Sequence, residues 1–149
     1  MDIPNAQITE IIKTIWHVMF LSRAEPIEVE GNTHPFSITG SIHIQGAWNG
    51  SVFVHCSKDI ISELSSQAFG LDANSLTNNE LIDTMRELTN LIGGNIKPFL
   101  PSPSELTIAE VHFVSDSNIS KTQVLLNRVD MMVNKGLLRV EVVNDDASS

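Results

Sequence analysis

Cysteine and basic residues are scarce in this sequence. The single cysteine, Cys56, excludes an internal disulfide and fits a reducing compartment, where we expect it to pack as a small apolar side chain. Lysine and arginine together number 9 against 18 aspartates and glutamates, which gives a formal net charge of −9. Nucleic acids and anionic membranes bind clustered basic side chains, so this balance argues against both as partners.

Long hydrophobic runs are also lacking. The most apolar stretch, near the start, is interrupted by Glu10, Lys13 and His17, and no basic segment precedes it. It is too short and too charged for a membrane span, and it lacks the organisation of a signal peptide. We therefore expect a cytoplasmic protein with no membrane partner.

The length and composition predict one globular domain. A chain of 149 residues with 42% hydrophobic side chains can bury one substantial core. We assign residues 1–143 to a single domain and expect the polar segment 144–149 to be a disordered tail.

Hydrophobic periodicity predicts three helices and six strands. We expect helices at residues 6–22 and 58–69, and a third from residue 77 that ends at the glycine pair 93–94 or one turn later. We expect strands at residues 27–30, 36–44, 51–55, 106–114, 124–133 and 137–143. The strand at 106–114 changes phase near Ala109, which indicates a β-bulge. Glycine-containing turns join several of them as hairpins, so the sheet should be mainly antiparallel. The predicted fold is a two-layer α/β (α+β) domain, with a six-stranded sheet covered on one side by long helices.

The third helix has the clearest start signal and the clearest apolar stripe. Thr77 can cap the first turn, and Glu80, three residues later, can reach back to it, which is the capping-box pattern. Apolar residues then recur at spacings of four, three and four, at Leu81, Met85, Leu88 and Ile92. That spacing places them on one side of a helix, which should face the core.

A polar row follows the same spacing, displaced by two residues. It consists of Asp83, Glu87, Asn90 and Gly94. Two residues correspond to about 200° of helical rotation, so this row should face away from the core. Such a row is usually a solvated helix face, and the functional interpretation depends on the identity of its residues.

The pattern Asp83-x3-Glu87-x2-Asn90, followed by Gly93 and Gly94, resembles the signature helix of the CheC/CheX family of chemotaxis phosphatases. Members of that family dephosphorylate CheY-type response regulators. The order of a strand, a glycine-containing turn and a returning strand ahead of this helix is also similar to the CheX layout.

The helix at 58–69 carries an imperfect second copy of the pattern. Asp59 and Glu63 have the right spacing, but Ser66 stands where the family has asparagine and offers no amide. CheC-type members carry two copies of the motif. With one complete copy, this sequence is more similar to CheX.

The resemblance implies a role for each residue of the motif. Asn90 would orient the water that attacks the phosphoryl group, and Glu87 would contact the lysine in the active site of the receiver domain. Both are therefore the expected catalytic residues. Asp83 is expected to bind at the rim. Gly93 and Gly94 would let the helix approach the receiver backbone, although close packing within the fold explains them equally well.

The resemblance also implies the partners. We expect no cofactor on this chain, because the receiver supplies its own Mg²⁺ and lysine to neutralise the phosphoryl charge. The partner would be a phosphorylated CheY-type receiver. Family CheX proteins are homodimers joined through sheet edges, so we expect a homodimer.

Two other functions are compatible with the same residues. One is a non-catalytic receiver-binding or scaffolding module, because the fold is also similar to part of the flagellar motor switch. The other is a generic dimerisation domain with an acidic, solvated helix face, which would bind no receiver.

The five histidines do not suggest a metal site. None has the spacing to cysteines or carboxylates that zinc ligands show. His43 and His55 lie on the two strands that flank one predicted turn, and we expect them to form a hydrogen-bonded surface pair.

Overall fold

The structure is a computed structural model that describes residues 3–29, 36–113 and 122–145 of the 149-residue chain. In these ranges the helices are α1 (Asn5–Phe20), α2 (Lys58–Phe69) and α3 (Asn78–Ile96). The strands are β1 (Ala24–Pro26), β2 (Phe36–Gly46), β3 (Gly50–Ser57), β4 (Ser104–Leu106), β5 (Glu110–His112), β6 (Gln123–Val133) and β7 (Gly136–Asp145). Residues 115–121, which follow the predicted strand at 106–114 and are expected to form a loop, lie outside the described residues. So do the last residues of the predicted tail, 146–149.

The strands of the described residues form one sheet of seven antiparallel strands, and the helices cover one face of it. The order is β1-β6-β7-β3-β2-β4, and β5 pairs with β2 further along the same edge as β4. The mixed α/β architecture is therefore as predicted. The helices have 16, 12 and 19 residues, so α2 is no longer than an average helix.

The predicted strand at 106–114 is divided in two near its predicted phase change. Two short strands, β4 and β5, replace it, and this raises the number of strands in the described residues from the predicted six to seven. Between them, the main-chain N–H of His43 on β2 donates to the hydroxyl Oγ1 of Thr107 at 3.1 Å. The main-chain N–H of Thr107 still donates to the carbonyl of His43 at 2.9 Å. The register against β2 shifts by one residue between Leu106, opposite Ile44, and Glu110, opposite Ser41, as at a β-bulge. Val114 lies outside the described residues.

The first strand lies earlier than predicted. β1 spans Ala24–Pro26 and pairs with β6, whereas residues 27–29 are not in a strand and residue 30 lies outside the described residues. Ala24 is buried and sits opposite Val133, which anchors the strand to the core. Pro26 is tolerated in β1 because this is an edge strand, where the missing N–H costs no ladder bond.

The last strand extends two residues into the predicted tail. Asn144 and Asp145 belong to β7, so the disordered tail does not begin at residue 144. The N–H of Asp145 donates to the carbonyl of Asn49 at 2.9 Å, and its side chain accepts a hydrogen bond from Gln123. These contacts hold polar residues in a strand that composition alone assigns to a tail.

The core lies between the sheet and the helices. Leu138, Val140 and Val142 of β7 are fully buried, and Trp16 of α1 is buried with them. Cys56 is also buried, as predicted, and burial raises the pKa of its thiol. Among the described residues, none of the helices has the length and apolar character needed to cross a membrane.

Candidate functional site

The start of α3 is fixed by a capping box, as predicted. The N–H of Thr77 donates to Glu80 Oε1 at 2.8 Å, and the N–H of Glu80 donates back to Thr77 Oγ1 at 3.3 Å. Two main-chain donors that the helix leaves unpaired are satisfied in this way. The box fixes where the helix begins, and so fixes which residues share each of its faces.

The two predicted rows of α3 face opposite directions. Met85, Leu88 and Ile92 are at most 2% exposed and pack in the core. The polar row of Asp83, Glu87, Asn90 and Gly94 is exposed. Burying the apolar row stabilises the fold by roughly 1.5–3 kcal/mol per large side chain, so the core holds the polar row toward solvent.

Two glycines bring α3 close to strand β2. Gly40 lies beneath Thr89 of the helix, where a Cβ atom would overlap the threonine hydroxyl. Gly93 lies above Ile42, where a Cβ atom would come within 2.9 Å of Cγ2. Thr89 is buried and donates its hydroxyl proton to the carbonyl of Met85 at 2.7 Å, so its polar group is satisfied within the helix.

The glycine pair therefore has two different environments. Gly93 is buried against Ile42, so close packing within the fold explains this glycine. Gly94 is exposed, and a Cβ atom there would meet nothing within 4 Å. Of the two glycines, Gly94 alone lies on the polar face that a partner could reach.

Glu87 and Asn90 lie on this exposed face of α3. In the part of the chain that the structure describes, neither of them forms a hydrogen bond or an ion pair. Asp83 differs, because one of its oxygens lies 3.3 Å from Arg86, whose guanidinium also donates to the carbonyl of Ala109. Residues three apart on a helix have Cβ atoms about 5–6 Å apart, so one partner surface can contact Glu87 and Asn90 together.

The incomplete motif copy on α2 is in a different state. Its Glu63 accepts two hydrogen bonds from the amide of Asn134, at 2.9 and 3.1 Å. Asn134 lies in the turn between β6 and β7, with a φ of 54°. The exposed carboxylate of the second copy is therefore held by intramolecular hydrogen bonds, whereas Glu87 has no partner among the described residues.

A cluster that the sequence analysis did not anticipate lies on the sheet face away from the helices. His55 bonds through Nδ1 to Thr39 Oγ1 at 2.8 Å and through Nε2 to Glu141 Oε1 at 2.7 Å. Arg128 donates to the other oxygen of Glu141 at 2.7 and 2.9 Å. These residues come from four strands, so no local spacing in the sequence could bring them to notice.

The charge state of this cluster is set by competing effects on Glu141. Burial by itself raises the pKa of this carboxyl group, but the hydrogen bonds and charges of His55 and Arg128 outweigh it. The net result is a pKa lowered from the usual 4.5 to about 2. Glu141 is therefore ionised at neutral pH.

The predicted pair of His43 and His55 does not form. In the antiparallel register, His43 lies opposite Ser51, and His55 lies opposite Thr39. His43 is partly exposed and bonds to the Ser51 hydroxyl at 3.2 Å, while His55 is buried. Among the described residues, no three His, Cys, Asp or Glu side chains come together as a metal site.

The chain shares its fold with solved chemotaxis proteins. CheX from Vibrio vulnificus is 18% identical with a TM-score of 0.74, and the match covers 92% of this chain and 93% of that one. A CheC-like superfamily protein from Shewanella sp. PV-4 is 17% identical with a TM-score of 0.73, covering 93% and 94% of the two chains. A chain of the CheX–CheY–BeF3–Mg²⁺ complex from Borrelia burgdorferi is 13% identical with a TM-score of 0.70, covering 94% and 97%. At these identities, the similarity defines a CheC-like fold.

The family is identified by the sequence itself. Residues 38–128, more than half of the chain, match the family described as Chemotaxis phosphatase CheX. The chain therefore belongs to the CheX family of chemotaxis phosphatases, which confirms the resemblance drawn from α3. The matched range contains all three polar positions of the motif. No curated protein matches the sequence.

Proposed function

We propose that this protein hydrolyses the aspartyl phosphate of a CheY-type response regulator, with Asn90 orienting the attacking water. The observation that carries the proposal is that an amide, Asn90, and a carboxylate, Glu87, share the exposed face of α3 and have no hydrogen-bond or ion-pair partner among the described residues. Membership of the chemotaxis phosphatase CheX family supports it.

The amide of Asn90 suits this reaction. Water attacks phosphorus as the bond to the aspartyl oxygen breaks, and the products are inorganic phosphate and a free carboxylate. The receiver's Mg²⁺ neutralises the charge on the phosphoryl oxygens. A neutral amide carries both a donor and an acceptor, so it can hold the water in line without repelling the phosphate. This chain then needs no cofactor of its own.

Glu87 is proposed to bind the lysine of the receiver active site. It lies one turn before Asn90 on the same face and has no partner among the described residues. A charge-assisted contact there fixes both the affinity and the register of the helix on the receiver. Asp83 already shares its charge with Arg86, so its contribution at the rim is smaller.

The test is the loss of phosphate from a phosphorylated CheY-type receiver. We would compare no addition, the wild-type protein, Asn90→Ala and Glu87→Ala, with Asn95→Ala as the matched control. Asn95 is an exposed amide on the same helix, but its side chain donates to the carbonyl of Leu91. We expect Asn90→Ala to lose acceleration by roughly a hundredfold while it still binds, because only water positioning is removed. Asn95→Ala should keep full activity.

The other outcomes separate the alternatives. We expect Glu87→Ala to weaken binding by about tenfold, because an ion pair at the interface is lost. A wild-type protein that binds the receiver without accelerating phosphate loss would be the non-catalytic module. If the wild-type protein binds no receiver, the polar row of α3 is an ordinary solvated helix face, and the proposal fails.

A further inference from the structure

An apolar groove runs between the three helices. It encloses about 360 Å³, with Leu64 and Leu88 among its lining residues. Both of these are buried, so they belong to the core as well as to the groove. Met19 and Phe20 of α1 and Phe69 of α2 also line it.

Two of these side chains are exposed although they are large and apolar. Met19 is 58% exposed and Phe69 is 43% exposed. Single apolar residues on a surface are common, but here two of them border one concave apolar surface. An apolar concavity of this kind is typical of a surface that a partner covers.

The groove is continuous with the polar row of α3. Asp83 and Glu87 line it, and they are also two of the three polar positions of the motif. A partner whose lysine meets Glu87 must therefore lie against the groove. The groove has an apolar floor and two carboxylates at its border, so it fits an apolar side chain that stands next to a basic one.

We propose that the groove binds an apolar side chain of the receiver surface, next to the lysine that Glu87 contacts, and that Met19 and Phe69 select which receiver is accepted. This inference rests on the proposed function, because it takes a CheY-type receiver as the partner. Asn90 lies outside the groove, so the groove acts on affinity and leaves the chemical step to Asn90.

The test is a double variant, Met19→Ser with Phe69→Ser, assayed against increasing concentrations of the phosphorylated receiver. The matched control is Met132→Ser with Phe99→Ser, because these two side chains are exposed to similar extents and lie outside the groove. We expect the groove variant to raise KM about tenfold with kcat unchanged. The control should change neither. Met19→Ser alone should raise KM about threefold, and this single variant replaces the double variant in the test if the double variant does not fold.

The results distinguish this inference from the proposed function. If the wild-type protein is active and the groove variants have an unchanged KM, the groove inference fails and the proposed function stands. If the wild-type protein is inactive, the inference is tested by calorimetry, which compares how tightly the wild type, the groove variants and the control bind the beryllofluoride-activated receiver. Weaker binding by the groove variants alone upholds the inference, and equal binding or no binding overturns it.

Sedimentation of the same proteins tests a different occupant. If the wild-type protein forms a larger assembly that dissociates in the groove variant but not in the control, a second copy of this chain fills the groove. That result would overturn the assignment of the groove to the receiver.

Discussion

Gly93 and Gly94 stand side by side on α3 and should respond in opposite ways to the same substitution. An alanine Cβ at Gly93 would come within 2.9 Å of Ile42, so Gly93→Ala should destabilise the protein by about 1–2 kcal/mol. At Gly94 the space is open, and Gly94→Ala should stabilise it by about 0.5–1 kcal/mol, because alanine favours a helix. Urea unfolding of the two variants and the wild type measures both effects.

The same pair tests how near the receiver comes to α3. If receiver backbone lies against Gly94, then Gly94→Ala will bind the receiver more weakly while being the more stable protein. A variant that is both more stable and fully active would show that the helix does not need glycine there. Equal stability of the two alanine variants would contradict the packing described for Gly93.

Sequence reasoning could predict the direction of the polar row but not the surroundings of each residue in it. The row follows from helical periodicity, which by itself puts Glu87 and Asn90 on the exposed face. Gly93 and Gly94 have no such signal, because their difference depends on Ile42 of a distant strand. The partner of Asp83, Arg86, is close in sequence. The geometry of this ion pair also depends on a distant residue, because the guanidinium of Arg86 donates to the carbonyl of Ala109.

The capping box determines the residue at which α3 begins, and therefore which residues share each face of the helix. Thr77→Ala removes the oxygen that accepts from the Glu80 N–H, and we expect a loss of about 1 kcal/mol in the free energy of unfolding. Ser75→Ala is the control, since Ser75 precedes the helix and is exposed. Hydrogen exchange of the Glu80 amide should speed up in Thr77→Ala only. Unchanged exchange there would mean that the box does not hold the first turn.

The sequence predicts a helix or strand boundary where the residues that set it are neighbours in sequence. It does not predict a boundary that depends on a hydrogen bond to a residue far away in sequence. A serine just before a helical stretch usually predicts an N-cap, and Ser57 does occupy the N-cap position of α2, but its hydroxyl makes no capping bond. It accepts instead from the N–H of Leu137 on β7 at 3.0 Å. The break between β4 and β5 has a similar origin, because Thr107 bonds to a residue far away in sequence, His43.

The buried cluster around Glu141 makes the stability of the whole molecule depend on pH. Its pKa in the folded state, about 2, lies below the usual 4.5 of an unfolded chain. The ionised carboxylate therefore favours folding above about pH 4.5, and this contribution is lost as the pH falls towards 2. Wild-type stability should decline steeply over that interval.

Glu141→Gln isolates this contribution. At pH 7 we expect the variant to be less stable than the wild type by about 3 kcal/mol, because His55 and Arg128 lose a buried charged partner. The difference should shrink as the pH falls from 4.5 towards 2. Chemical unfolding at a series of pH values measures it, with the exposed Glu105→Gln as the control. A difference that stays constant with pH would contradict the lowered pKa.

The architecture of the whole molecule was predictable as a class, but its strand order was not. Hairpin turns and alternation indicated an antiparallel sheet, and apolar stripes indicated helices on one side. The order β1-β6-β7-β3-β2-β4 depends on pairings between strands far apart in sequence, which carry no local signal. Homodimerisation through sheet edges stays a prediction.

The position of β7 has a consequence for the synthesis of the protein. It comes last among the described strands, yet it lies between β6 and β3 in the middle of the sheet. While residues 136–145 are still inside the ribosomal exit tunnel, β3 lacks the strand that lies beside it in the finished sheet. The completed sheet therefore forms only after β7 has left the tunnel, and until then β3 presents an unpaired edge, which is the feature of a strand that favours aggregation.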